Sequence, residues 1–190
     1  MSPRVLIDAG ISRLEHYPGW LAQNEADHLL ADLQVSPTRQ NRIRMFGKWL
    51  DEPRLTAWYG PAYTYSNISW EPQALPENLE VLSSRIQSLT SRPLNAVLLN
   101  HYRTGADGMG WHRDNEPEID QSLVASISVG ATRRFSVKPV EGGTAVTVDL
   151  AHGDLLLMWH LQTAWKHQLP KTKKAVGERF NLTFRWVDER

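Results

Sequence analysis

The sequence predicts a mainly β protein in which a jelly-roll-like antiparallel core follows an N-terminal helical segment and a lid. After Pro93, seven short apolar segments succeed one another without an intervening helical pattern, and Gly, Pro, Asp or Asn separates them. Short strands at this spacing are typical of antiparallel sandwiches and barrels. Before Pro93, two stretches instead repeat their apolar residues at the spacing of a helix.

Two amphipathic helices are predicted ahead of the β core. The first covers 23–34, with Asn24 as the capping residue, and the second covers 77–90, with Pro76 suited to its first turn. Their apolar faces consist of Ala26, Leu29, Leu30 and Leu33 in the first helix and of Leu79, Leu82, Ile86 and Leu89 in the second. The segment 37–76 between them is rich in Arg, Gly, Pro and aromatic residues, which indicates irregular hairpins or a lid.

The length and the charge of the chain limit its possible domain organisation and partners. A chain of 190 residues is long enough to bury a core. We expect one domain, 1–190, made of a helical segment (1–36), a lid (37–76), a supporting helix (77–92) and a jelly-roll-like β core (93–190). Basic and acidic residues balance at 21 each, which argues against binding nucleic acid through bulk charge.

No apolar run has membrane-spanning length and the N-terminus lacks a signal-peptide core. We therefore expect a soluble, intracellular monomer, cytoplasmic if bacterial and nuclear if eukaryotic.

A metal site is indicated by the segment around His112. The chain has no cysteine, so a metal must be held by histidine and carboxylate. His112 and Asp114 are two residues apart, and in an extended segment such residues share a face. Among the other histidines we prefer His167 as the third ligand, because its strand neighbours on the same face are apolar, with His160 as the alternative. Two histidines and one carboxylate are the ligands of non-haem Fe(II) oxygenases, although a zinc hydrolase could use the same set.

The last predicted strand carries polar groups on a strictly alternating face. Arg179, Asn181, Thr183 and Arg185 share this face, whereas the other face is apolar. The polar face could simply be solvated. However, a similar alternation of Asn and Tyr occurs in the strand ahead of the His112 turn, which suggests a polar pocket. Arginine binds carboxylates through two hydrogen bonds, so two such residues indicate a dianionic ligand.

These segments together resemble the AlkB family of Fe(II)- and 2-oxoglutarate-dependent nucleic-acid dealkylating dioxygenases, over roughly 46–187. The resemblance rests on His112-Arg113-Asp114, on the distal segment 165–170 around His167, and on the R-x-N-x-T-x-R strand over 179–185. It implies a double-stranded β-helix, or jelly roll, under a nucleotide-recognition lid. It also implies Fe(II) as the metal and 2-oxoglutarate and O2 as co-substrates.

Carried over by position, the resemblance implies three sets of site residues. The iron ligands would be His112, Asp114 and His167. The residues that bind 2-oxoglutarate would be Asn100, Tyr102, Arg179, Asn181, Thr183 and Arg185. The residues that contact substrate would be Met45, Phe46, Gly47, Lys48, Tyr65, Ser66, Asn67, Asn115 and Glu116. Met45 and Phe46 would form a wedge that fills the gap left by a flipped base, and Glu116 would face the exocyclic amine of that base.

The expected reaction is oxidative demethylation of alkylated DNA bases of the 1-methyladenine and 3-methylcytosine type, with release of formaldehyde, succinate and CO2. The substrate would be alkylated DNA, and RNA remains the alternative. Basic clusters in the lid and after His167 would hold the backbone, unless they are solvated surface; they comprise Arg39, Arg42, Arg44, Lys48, Lys171, Lys173 and Lys174. A non-catalytic jelly-roll binding module is the other alternative.

Trp49 is expected in the core.

Overall fold

The fold is known from a computed structural model, which describes residues 2–45, 47–65 and 68–188. The helices are α1 (Gln23–Gln34), α2 (Glu77–Thr90) and α3 (Leu161–Ala164). The strands ahead of α2 are β1 (Arg4–Ala9), β2 (Ser12–Tyr17), β3 (Arg42–Met45), β4 (Lys48–Asp51), β5 (Leu55–Tyr59), β6 (Tyr63–Tyr65) and β7 (Ile68–Trp70). The strands after α2 are β8 (Ala96–Tyr102), β9 (Met109–His112), β10 (Leu123–Gly130), β11 (Arg133–Pro139), β12 (Val146–Leu150), β13 (Asp154–Trp159), β14 (Trp165–Leu169) and β15 (Arg179–Arg185).

Two antiparallel sheets form the body of the protein. The larger has seven strands in the order β1-β2-β13-β10-β15-β8-β5, and the smaller has four in the order β12-β11-β14-β9. Each of the seven apolar segments predicted after Pro93 forms one of these strands, namely β8 or one of β10–β15. Strand prediction succeeded here because each segment buries at least one apolar face.

The helices and the smaller sheet cover opposite faces of the larger sheet. The apolar faces of α1 and α2 pack with the larger sheet in one buried cluster that includes Leu29, Ile86 and Phe184. A second cluster lies where the larger sheet meets the smaller one and includes Val124 and Phe135. A polar cavity is enclosed between the two sheets beside this second cluster. In the part of the chain that the structure describes, no helix is long and apolar enough to span a bilayer.

The N-terminal segment differs from the prediction. Residues 4–17, expected in a helical segment, form the hairpin β1–β2, and β2 pairs with β13 in the larger sheet. The strand β2 is short and rich in charged residues, and buried residues such as Leu14 alternate in it with partly exposed ones. The prediction missed this alternation. Both helices keep their predicted bounds. However, Asn24 does not cap α1: the N-cap is Ala22, whose backbone N–H donates to the Glu25 carboxylate over 2.9 Å.

The lid is partly as predicted. It contains the hairpins β3–β4 and β6–β7, but β5 leaves it and pairs with β8 at the edge of the larger sheet. Trp49 of β4, expected in the core, is 53% exposed, because its hairpin stands away from the sheets. Leu89, expected on the apolar face of α2, is also exposed, since it lies in the last turn of the helix, beyond the contact with the sheet.

Candidate metal centre

The three predicted metal ligands lie together at the open end of the smaller sheet. His112 ends β9, and its register partner on β14 is His167. Asp114 follows two residues after His112, in the loop that leaves β9. One ligand atom from each of the three residues lies within 4.8 Å of the others, which is a distance that a single ion can bridge. The alternative ligand His160 stands immediately before α3 and is not part of this cluster.

Short-range contacts fix the positions of these ligands. The chain passes so close to β14 at Gly108 that a Cβ there would lie 2.7 Å from the carbonyl oxygen of Leu169. Only glycine permits this approach, which sets β9 beside β14. The backbone N–H of Asp114 donates to Oε1 of Gln162 over 3.1 Å, and Gln162 is fully buried in α3. The helix that precedes β14 therefore holds the loop that carries Asp114.

The protonation states of the three side chains suit a divalent cation. Burial would raise the pKa of Asp114, but Arg185 and the two histidines lower it to about 2. Burial, reinforced by the His112 ring, lowers the pKa of His167 to about 3. Burial likewise lowers the pKa of His112, and the hydrogen bond between its Nδ1 and the carbonyl of Gly110, 2.8 Å long, leaves Nε2 for a metal. One ionised carboxylate and two neutral imidazoles match the ligand set of non-haem Fe(II) oxygenases, which leaves coordination positions open.

Two buried guanidinium groups lie in the same cavity. Arg179 and Arg185, at the two ends of β15, are 2% and 3% exposed, so the solvated-face alternative for this strand is wrong. Arg179 donates from Nη2 to Ser128 over 2.8 Å, and Arg185 donates from Nη2 to Asp114 over 3.2 Å. The Nε atom of each is buried and has no hydrogen-bond partner among the described residues. Two buried cations with spare donors fit a ligand that carries two carboxylates.

The Arg179 end of the cavity has no carboxylate of its own. Among the ion pairs of the described residues, none involves Arg179, and burial lowers its pKa to about 10, which still leaves it charged at neutral pH. Its guanidinium lies 5.4 Å from the centre of the Tyr102 ring, a cation–π contact. An unpaired buried charge is costly, so this end of the cavity is suited to bind an anionic group.

The remaining predicted 2-oxoglutarate residues also line the cavity. Asn100 of β8 is buried there beside Tyr102. Asn181 donates from Nδ2 to Ser126 Oγ over 2.7 Å, and Thr183 donates to Oδ1 of Asn181 over 3.1 Å. Asn181 thus holds β15 against β10 and orients Thr183. The cavity, with the part open to solvent, measures about 750 Å³.

The predicted substrate residues are only partly described. Glu116 lies in the loop after Asp114; burial and the charge of Asp114 raise its pKa, and it shares a hydrogen bond with Tyr63, a cavity residue of the lid. Asn115, Gly47 and Lys48 are exposed. Phe46, Ser66 and Asn67 lie outside the described residues, and of Met45 and Tyr65 only the backbone is described, within β3 and β6.

Sequence reasoning missed several residues of the site. Arg54, immediately before the lid-derived strand β5, is buried and lines the cavity, and it pairs with buried Glu52. Neither residue stands in a periodic pattern, and only their unusual burial identifies them. Gln162 was missed because it falls in α3, a single helical turn that the sequence does not signal. Ser126 and Ser128 read as ordinary strand residues, although they support the polar face of β15.

Comparisons with known proteins agree with this geometry. The sequence profile described as the 2OG-Fe(II) oxygenase superfamily matches residues 13–185. Alpha-ketoglutarate-dependent dioxygenase alkB homolog 3 of Homo sapiens is 39% identical over 196 residues, which cover 96% of this chain and 68% of that protein. DNA oxidative demethylase ALKBH2 of Homo sapiens is 40% identical over 159 residues, which cover 77% of this chain and 61% of that protein.

Solved structures confirm the fold. The structure of OsALKBH1 superimposes with a TM-score of 0.67 at 18% identity and covers 96% of this chain and all of that one. A prolyl hydroxylase from Trichoplax adhaerens, solved with a hypoxia inducible factor peptide, gives a TM-score of 0.65 at 15% identity and covers 92% of this chain and 83% of the other. The predicted jelly roll and the resemblance noted in the sequence are both confirmed.

Proposed function

The chain belongs to the 2OG-Fe(II) oxygenase superfamily, and from this premise we propose that it removes N-methyl groups from alkylated DNA bases of the 1-methyladenine and 3-methylcytosine type. As a member of that superfamily it uses Fe(II) and 2-oxoglutarate, together with O2. The choice of substrate is our inference. It is supported by the 40% identity to a protein named DNA oxidative demethylase and by the cavity under the lid hairpins.

One observation carries the proposal: the cluster of His112, Asp114 and His167 shares a cavity with two buried arginines that have unsatisfied donors. A zinc hydrolase would need the three metal ligands but would not need Arg179 and Arg185. A non-catalytic binding module would need neither a clustered triad nor an unpaired buried guanidinium. The combination favours an oxygenase that binds a dicarboxylate next to its metal.

The three metal ligands and the co-substrates have distinct parts in this function. His112, Asp114 and His167 would hold Fe(II) on one side and leave the other side open. Bound together, Fe(II), 2-oxoglutarate and O2 supply an oxidant that hydroxylates a methyl C–H bond, and 2-oxoglutarate becomes succinate and CO2. The hydroxymethyl group then leaves the base nitrogen as formaldehyde.

The charges of the cavity suit a methylated base. 1-Methyladenine and 3-methylcytosine are cations near neutral pH, and a carboxylate close to such a base favours its charge. Asp114 is ionised and lies in the cavity, and Glu116 is bonded to the cavity residue Tyr63. Tyr63 also stacks on Trp58, with ring centres 4.7 Å apart, which fixes its ring at the cavity wall.

DNA would be held at the rim by basic side chains. Arg42 and Lys48 on the lid hairpin and Lys171, Lys173 and Lys174 after β14 are exposed, so they can reach phosphates. As part of the same proposal, the chain would act as an intracellular monomer. RNA would present the same bases, and DNA is favoured only by the proposed wedge residues Met45 and Phe46.

The test is incubation of the protein with Fe(II), 2-oxoglutarate and oligonucleotides that carry one methylated base, followed by mass spectrometry of the bases. We expect loss of 14 mass units from the base, with formaldehyde and one succinate per event. DNA, RNA, single strands and duplexes are compared in parallel. Oxygen consumption without base repair would point to another substrate. The absence of any 2-oxoglutarate turnover would favour the alternative that the protein is a non-catalytic binding module.

A further inference from the structure

A buried ion pair of the lid remains outside the proposed function. Arg54 donates from Nη2 to Oε1 of Glu52 over 2.9 Å, and the two side chains are only 5% and 3% exposed. Arg54 lines the cavity that contains the metal cluster. A buried pair of this kind is not needed to stabilise a fold, since apolar residues of similar size do so as well or better.

The Arg54 guanidinium has hydrogen-bonding capacity that the protein does not use. Nη2 is bonded to Glu52, and among the described residues Nη1 has only the sulfur of Met109 as its acceptor. The Nε atom is buried without a partner among the described residues. Sulfur is a weak acceptor, and a buried donor without a partner is energetically unfavourable. The arrangement is therefore typical of a group that waits for an acceptor from a ligand.

The backbone holds this pair firmly in place. The N–H of Glu52 donates to the carbonyl of Asn41 over 2.8 Å, and the side-chain amide of Gln40 donates to the carbonyl of Glu52 over 2.9 Å. The N–H of Gly108 donates to the carbonyl of Pro53 over 3.0 Å, which ties the turn to the strand that carries His112. Arg54 is thus pre-organised with respect to the metal cluster.

Arg54 and Glu116 come to the cavity from different segments of the chain. The Arg54 guanidinium contacts the sulfur of Met109 on β9, whereas Glu116, in the loop after Asp114, shares a hydrogen bond with Tyr63 of the lid. A base whose amine binds Glu116 leaves its opposite edge to a donor from another segment, and Arg54 has such donors in the cavity.

The two methylated bases differ in the atom at that opposite edge. In 3-methylcytosine the methylated nitrogen lies between the carbon that bears the amine and a carbonyl carbon. In 1-methyladenine it lies between the carbon that bears the amine and a C–H. With the methyl group at the metal and the amine at Glu116, 3-methylcytosine presents a hydrogen-bond acceptor to Arg54, and 1-methyladenine presents none.

We propose that Arg54, held by Glu52, donates a hydrogen bond to the ring carbonyl of a flipped pyrimidine and so favours 3-methylcytosine over 1-methyladenine. This inference rests on the proposed function. A phosphate is excluded as the acceptor, because the guanidinium is buried and its charge is already compensated by Glu52. The same compensation lets a cationic base approach without repulsion. Sites built to bond a polar group discriminate strongly against analogues that lack it.

The test uses the double variant Glu52→Gln/Arg54→Met, which removes both charges and keeps the side-chain volumes. Demethylation of single-stranded oligonucleotides with one 3-methylcytosine or one 1-methyladenine gives the ratio of kcat/KM for the two bases. Anaerobic binding of the same oligonucleotides gives the ratio of Kd without turnover. We expect both ratios to shift against 3-methylcytosine by about tenfold or more. Glu52→Gln alone retains the donor and should retain most of the preference.

Two controls make the outcome decisive. Arg134→Met removes an exposed arginine of β11 and should leave both ratios unchanged. Thermal unfolding and anaerobic Co(II) binding report whether the fold and the metal cluster survive in the double variant. Equal losses on the two bases would assign Arg54 a purely structural role, and unchanged ratios would remove it from base recognition. If the wild-type protein demethylates neither base, the proposed function has failed, whereas the binding ratio still tests Arg54.

Discussion

Arg185 donates a hydrogen bond from Nη2 to Oδ2 of Asp114 across 3.2 Å, and their side chains are 3% and 13% exposed. The contact joins the last strand of the larger sheet to the metal cluster. At the other end of the same strand, Arg179 is bonded to Ser128 and has no carboxylate partner among the described residues. We therefore expect the two arginines to differ in function: Arg185 would orient a metal ligand, whereas Arg179 would bind the distal carboxylate of 2-oxoglutarate.

This difference predicts distinct effects of two substitutions. Arg179→Ala should raise the 2-oxoglutarate concentration needed for half-maximal turnover by on the order of 30-fold or more, because loss of one partner of a buried charge pair costs about 2–5 kcal/mol. Metal affinity should change little. Arg185→Ala should weaken both 2-oxoglutarate and metal binding, since it leaves Asp114 without its cation. Turnover kinetics and anaerobic Co(II) titration measure the two quantities.

The conservative variants serve as controls for this pair. Arg185→Lys keeps a charge near Asp114, so it should recover part of the Co(II) affinity. Arg134→Ala, which removes an exposed side chain of β11, should affect neither quantity. Equal metal affinity in the two alanine variants would mean that the contact between Arg185 and Asp114 does not position the ligand. An unchanged 2-oxoglutarate requirement in both would exclude the dicarboxylate clamp.

The metal cluster makes a second prediction about the distal histidine. His167→Ala should abolish nearly all turnover and weaken Co(II) binding, because His167 lies within 4.8 Å of the other two ligand groups. His160→Ala is the matched control: it changes a histidine seven positions away that stands before α3, outside the cluster. Loss of Co(II) binding in the His160 variant with retention in the His167 variant would refute our choice of third ligand.

Most of the β core could be predicted because its strands follow a simple rule. Alternating or continuous apolar residues predicted seven of the eight strands after Pro93, all except β9, and the polar alternation of β15 predicted the cavity. The His112 and Asp114 pair was visible because i and i+2 residues share a face of an extended chain. The choice of His167 over His160 depended on the apolar neighbours of its strand, and that signal is also local.

What could not be predicted depends on contacts between distant segments. The partnership of Arg185 with Asp114 joins positions 71 residues apart, and no local pattern indicates it. Arg54 is buried only because β5 leaves the lid and pairs with β8. The hairpin β1–β2 was missed because its strands are short and rich in charge, so their alternation gives a weak signal. Trp49 was misplaced since an aromatic residue is usually buried, and only the hairpin geometry exposes it.

Acid stability should depend on Asp154, which is not part of the metal cluster. Burial would raise the pKa of Asp154, but hydrogen bonds from His16, at 2.7 Å, and from the backbone N–H groups of Ala151 and Gly19 lower it below 3.8. A carboxyl group with a lowered pKa stabilises the fold fully above its unfolded value of about 3.9, and this contribution is lost as the pH falls through the folded value.

We therefore expect Asp154→Asn to lower the Tm strongly at pH 7 and progressively less as the pH falls below about 4. Thermal unfolding of the wild-type protein and of the variant across this pH range measures the gap in Tm between them. Asp149→Asn, at a carboxyl group that is 63% exposed, should show a small gap at every pH. If the gap for Asp154→Asn is constant from pH 7 to pH 3, its hydrogen bonds do not favour the charged carboxylate.

The tip of the β3–β4 hairpin supplies the last prediction. Phe46 itself lies outside the described residues, but its neighbours show that the hairpin projects from the body of the protein: Gly47 and Lys48 are exposed, and so are Trp49 and Leu50 of the returning strand. Gly47 has a φ of +76°, a conformation that glycine adopts readily and that permits a tight turn. An apolar residue at such a tip is suited to enter a duplex and fill the space of an extruded base.

Phe46→Ala should therefore slow the demethylation of duplex DNA much more than that of single strands. Extrusion of a base costs a few kcal/mol in a paired duplex and less in a single strand, so the wedge matters only for the duplex. Rates on the same methylated oligonucleotide, alone and annealed, measure the ratio, and the Tm should stay nearly unchanged. If Phe46 instead anchors the lid to the core, the alanine variant should lose about 3–5 kcal/mol of stability and both activities together. Equal losses on the two substrates would thus reject the wedge, and a fall in Tm would identify the anchor.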